Sequence, residues 1–122
     1  MNYKPYFIVL GFILFDILTG FIKATYQGNY NSSEMRKGGL RKLTEILSVI
    51  LSGLLEYVVA YIDLGVNVPL LGVVSAYIAI MELISILENI CVVSPTLSNL
   101  FEPYLEKLKE KNEGGKEDAK RN

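Results

Sequence analysis

Three carboxylic acids interrupt otherwise apolar stretches: Asp16 in PYFIVLGFILFDILTGFIKA, Glu56 in LTEILSVILSGLLEYVVAYI and Glu82 in LLGVVSAYIAIMELISILENICVV. In hydrocarbon a bare carboxylate costs roughly 2.5–3.5 kcal/mol on insertion scales, so each must be neutral, hydrogen-bonded to a neighbouring helix, or turned toward water. For Asp16 three roles stay open: a hydrogen bond that fixes helix packing, a pore-facing or gating group, and a proton relay. The same three apply to Glu56 and Glu82. Glu45 and Glu88 lie nearer the ends of their segments, where a solvated position at the membrane interface serves equally well.

Helical spacing gathers other polar groups around these acids. Thr19, Gly20 and Lys23 fall on the face of Asp16, which should therefore point to protein or water. Glu45, Ser48 and Ser52 lead to Glu56 in the second segment; Ser75, Glu82, Ser85 and Asn89 share a face in the third, with Glu88 one turn from Ser85. Each helix thus has faces compatible with lipid and one polar seam. Lys23 is the only cation within the three segments, so in a single chain the acids cannot all be ion-paired. Small residues such as Gly11, Ser52 with Gly53, and Ser75 with Ala79 would allow close helix approach, a weak signal in any membrane helix.

The elements that must carry these groups are long and greasy. No basic residue occurs between Lys42 and Lys107, whereas a soluble helix shows Lys or Arg every turn or two on its wet face. The spacing predicts an all-α integral membrane protein with transmembrane helices at about 5–26, 43–62 and 69–93. About 20 apolar residues make roughly 30 Å of helix, enough to cross a hydrocarbon core. Tyr6 and Tyr26 stand where interfacial aromatics tend to sit. Gly65 and Asn67 mark a turn before Pro69, and Ser94-Pro95 ends the third helix.

Between the first two spans, a basic loop at 27–42 contains Arg36, Lys37, Arg41 and Lys42. Residues 33–42 are expected to form a short amphipathic linker helix on the membrane surface, weakened by Gly38 and Gly39. Residues 1–100 then make the transmembrane domain and 101–122 a charged cytoplasmic tail. Tyr104, Leu105 and Leu108 give that tail an apolar stripe, suited to a brief helix that frays after Asn112. Basic residues near the span ends put the first linker inside, the N-terminus outside and the C-terminus in the cytoplasm. Lys4 alone opposes that orientation.

Composition excludes several classes. With one cysteine and no histidine there is no internal disulfide and no ordinary zinc or haem ligand set, and no cofactor is expected. Cys91, between Ile90 and Val92, reads as a buried hydrophobe or as an intersubunit disulfide. The four basic linker residues make too small a surface for nucleic acid. Lys4 before an apolar run resembles the start of a signal peptide, but no small-x-small site follows before Lys23. No enzyme is expected, because no serine has a histidine or an intramembrane lysine as its partner, no Gly-rich phosphate loop occurs, and Asp16 has only Asp63, at a helix end, as an aspartyl partner.

The order of three blocks resembles the toxin-secretion and phage-lysis holins of Gram-positive bacteria and their phages. These are Asp16-Ile17-Leu18-Thr19-Gly20; Asn31-Ser32-Ser33 running into Met35-Arg36-Lys37-Gly38-Gly39-Leu40-Arg41-Lys42; and Glu82 to Ser85 with Glu88-Asn89, then Pro95 and Leu100. The resemblance covers about residues 8–108. It implies that Asp16, Thr19 and Gly20 hold the first motif positions, that 33–42 is the basic loop, and that Glu82, Glu88 and Asn89 form the acidic block of the last span. It further implies a homo-oligomer in the bacterial cytoplasmic membrane that permeabilises the membrane at a set time, releasing a cell-wall hydrolase (endolysin) or large toxin. The residues alone also suit a small helical scaffolding subunit of a membrane complex, or an ion or proton channel.

Overall fold

In the computed structural model, which describes residues 3–121 and side chains through Glu113, four helices follow one another: α1 Lys4–Gln27, α2 Ser32–Tyr61, α3 Leu70–Val93 and α4 Pro95–Arg121. No strand occurs among the described residues. The first three helices are long and apolar enough to cross a membrane, which makes the protein a multi-pass membrane protein.

Each helix end has a local cause. Gly28, at φ 67°, closes α1: its N–H donates to Thr25 O (3.2 Å), and Asn29 N–H reaches Ala24 O (3.1 Å). This is the Schellman pattern, and the left-handed backbone favours glycine at that position. Asn31 caps α2, its side chain accepting from Ser33 N–H (3.0 Å) and Glu34 N–H (3.3 Å). Glu34 lies in the first turn, where negative charge suits the helix dipole. Beyond α2, Asp63 Oδ1 accepts from Gly65 N–H (2.9 Å) to shape the turn. Ser94 Oγ accepts from Leu97 N–H (3.3 Å), and Pro95 occupies the first position of α4.

The linker helix expected as a separate element is instead the start of α2. The Asn31 cap and the run of good helix formers outweigh the Gly38–Gly39 pair, which costs about 1 kcal/mol per glycine relative to alanine. A 30-residue helix is roughly 45 Å long against a hydrocarbon core of about 30 Å, so about ten residues must protrude. The basic N-terminal turns are the part suited to water. The tail also differs from expectation: α4 begins at Pro95 and its backbone stays helical past Asn112 to Arg121.

The chain divides into two units. In the first (1–13 and 31–79), Val9 and Ile13 of α1, Val49 of α2, and Leu71 and Ile78 of α3 form a buried core, with Tyr6, Ile46 and Val74 packed on it. On every helix these residues recur at steps of three or four, the signature of one face turned inward. Gly53 lies against the Tyr6 hydroxyl, so a Cβ there would push the ring tip aside. The second unit (14–30 and 80–122) buries Ile84, Ile86 and Leu87 of α3. Along α4, Ser98, Phe101, Leu105 and Leu108 are half-buried at steps of 3, 4 and 3, while Tyr104, expected in this stripe, is exposed.

Candidate functional site

The inward stripes carry the polar groups as well as the core. On α3, Leu71, Ser75, Ile78, Glu82, Ser85 and Asn89 succeed one another at steps of 4, 3, 4, 3 and 4, and all are buried except half-buried Ser85. On α2, Glu45, Val49, Ser52 and Glu56 do the same, with Glu56 half-buried. Around these stripes, Phe7, Leu14, Leu18, Leu47, Leu51, Leu54 and Val73 are exposed. Polar in and apolar out is the pattern of helices whose solvent is lipid.

In the second unit, Asn89 Nδ2 donates to Asp16 Oδ1 and to Thr19 Oγ1, each at 3.1 Å, tying α3 to α1. Thr19 Oγ1 in turn donates to Asp16 O (3.1 Å). Asp16 is 4% exposed, and the Asn89 amide lies 3.7 Å from where a Cβ on Gly20 would stand. Lys23, on the same face of α1, is half-buried. Among the described residues Glu82 is the most enclosed acid, 1% exposed.

In the first unit, hydroxyl groups satisfy one another's backbone. Thr44 Oγ1 donates to Leu40 O, Ser48 Oγ to Thr44 O and Ser52 Oγ to Ser48 O (3.0, 2.8 and 2.8 Å). Ser52 is thereby buried without leaving its hydroxyl proton unused. Ser75 Oγ has no hydrogen-bond partner. Glu56 Oε1 accepts from Leu71 N–H at 3.1 Å, so an acid of α2 caps the first turn of α3.

Glu45 is buried, whereas a solvated interfacial position had suited it equally well. Arg41 Nε approaches its Oε1 at 3.9 Å, one turn away, yet neither carboxyl oxygen accepts a hydrogen bond. The contact is an ion pair by distance only, and Arg41 is largely exposed. Glu88 takes the other of its two alternatives, the one open to the surroundings. It is exposed, because one residue turns about 100° around the helix and the stripe runs through Asn89. Arg36, Lys37 and Arg41 are exposed on the first turns of α2, and Lys42 is half-buried.

Sequence reasoning missed three features: the Asn31 cap, the Tyr6 contact at Gly53, and the pairing of Asn89 with Asp16. Asn31 followed by Ser-Ser-Glu before a long helix was a readable capping signal. The other two depend on helix register. Among the described residues, no group of His, Cys, Asp and Glu side chains has the arrangement to hold a metal ion.

No curated protein and no solved structure matches the chain. A family model described as the bacteriophage holin family matches residues 4–110, from the start of α1 well into α4. Since that match takes in all three apolar helices and both polar clusters, the chain belongs to the bacteriophage holin family, as a non-enzymatic membrane protein of the pore-forming, lysis type that associates with itself and with lipid.

Proposed function

We propose that the polar stripes, buried between the helices of one chain, open toward other copies as chains associate and, in larger assemblies, line the water-filled lesion. The observation that carries this reading is the bond from Asn89 to Asp16 within one chain, which holds an acid off lipid on helices whose outer faces are apolar. While the seam faces protein, acids and hydroxyls are shielded from hydrocarbon. When copies gather in an enlarging ring, the same groups can turn to water without meeting lipid. The residues assigned to this seam are Asp16, Thr19, Gly20, Lys23, Ser52, Glu56, Ser75, Glu82, Ser85 and Asn89. Glu88, exposed on α3, belongs to the same assignment as a group that a neighbouring copy can reach.

Arg36, Lys37, Arg41 and Lys42 would lie on the cytoplasmic surface of the bacterial cell membrane, with the N-terminus outside and the C-terminus inside. The protruding length of α2 and the absence of basic residues in the α2–α3 connection support that orientation. The released partner would be an endolysin or a large secreted toxin. Release of a cytoplasmic reporter enzyme after induced expression tests the proposal. Wild type should release it abruptly, and Asp16→Ala and Glu82→Ala should shift the time of release. Unchanged timing in both variants would remove the acids from the mechanism.

A further inference from the structure

One cavity lies apart from the Asp16–Asn89 cluster. It lies in the first unit, with a volume of about 690 Å³, where the last turns of α2 meet the segment leading into α3. Leu55, Val59, Ala60, Val66 and Val68 give it apolar walls, and Glu56 contributes a carboxyl group. The volume is in the range of pockets that take small organic ligands, roughly 300–1,000 Å³.

Charge decides what kind of ligand would fit. Glu56 accepts one hydrogen bond, from Leu71 N–H to Oε1, which leaves Oε2 without a donor among the described residues. No basic residue lines the cavity, and the chain has none between Lys42 and Lys107. Asp63, the nearest charged residue along the connection, is also an acid. A purely apolar guest would cover the walls but strand the carboxylate, and an anionic amphiphile would be repelled by it. An α2–α3 segment from a second copy would bring no cation. From this complementarity we propose that the cavity binds an amphiphilic ammonium ion, its alkyl body against Val59, Ala60 and Val68 and its charged head on Glu56. A charge-assisted bond from the ammonium group would use the free carboxylate oxygen.

A decylammonium carrying a diazirine, irradiated with the full-length protein in uncharged detergent micelles, tests this, with adducts mapped by mass spectrometry. Adducts should concentrate at 55–60 and 66–70, be competed by plain decylammonium, and fall about tenfold with the corresponding neutral alcohol probe. Glu56→Gln keeps an acceptor for Leu71 N–H and should lower labelling by a similar factor, whereas Leu51→Trp on the exposed face should not. Val59→Trp fills the cavity while leaving the acid in the sequence and should also abolish labelling, so it decides the matter if Glu56→Gln loses helical circular dichroism. Equal labelling by the neutral probe, undiminished labelling of folded Glu56→Gln, or undiminished labelling of Val59→Trp would overturn the assignment.

Discussion

Asn89 Nδ2 donates to Asp16 Oδ1 across 3.1 Å, joining residues 73 positions apart. The same amide nitrogen holds Thr19, so one side chain of α3 fixes two successive turns of α1. In membrane proteins such interhelical hydrogen bonds average about 0.6 kcal/mol and reach about 1.7. Asn89→Ala removes two of them and leaves a small void. It should lower stability by about 1–2 kcal/mol, measured by SDS titration in mixed micelles with tyrosine near-ultraviolet circular dichroism as the signal. Asp16→Asn, which retains an acceptor, should lose less than Asp16→Ala.

Tyr6 and Gly53 form a second close relationship. Gly53→Ala forces the Tyr6 ring to move, an overpacking change that costs about 1–3 kcal/mol. Shortening the opposing side chain relieves it, so Tyr6→Leu combined with Gly53→Ala should be more stable than the sum of the two single losses predicts. A double-mutant cycle reads this directly, and strict additivity would show that the two positions do not touch.

Asn31→Ala tests whether the basic turns belong to α2. Loss of the cap should cost about 1 kcal/mol. Hydrogen exchange at the amides of Ser33 and Glu34 should quicken several-fold, with little change at Val49. Equal protection in both proteins would mean that the first turns are held by something other than Asn31.

Glu45 combines deep burial with an ion pair that lacks a hydrogen bond. Replacing a poorly satisfied buried charge by an apolar group of similar size is commonly neutral or stabilising. Glu45→Leu should therefore match or exceed wild type in the SDS titration. If Glu45 faces water in the open assembly, the same substitution should delay reporter release.

Much of the fold was legible because it follows from lengths and runs. The expected spans at 5–26 and 69–93 differ from α1 and α3 by a residue at each end at most. Their limits are written in Gly28, Pro69 and Pro95. The start of α2 was harder, since glycines and asparagine marked a break that the Asn31 cap bridges. The face bearing Asp16 and Thr19 followed from helical steps, as did the stripe of Ser75, Glu82 and Asn89. Glu88 faces away from the buried stripe, because one residue turns about 100° around the helix. The partner of Asp16 was beyond reach, because spacing within α1 and α3 says nothing about their relative register.

Water access to the seam before and after permeabilisation tests the central claim most directly. In a Cys91→Ser background, cysteines at Ser52 and Ser75, on the buried stripes, are compared with one at exposed Leu51, using a charged methanethiosulfonate reagent that needs water to react. The account predicts no reaction at positions 52 and 75 before lysis, rapid reaction at both afterwards, and none at 51 at either time. Labelling at 51 instead, or none at 52 and 75 once the reporter enzyme has escaped, would contradict it.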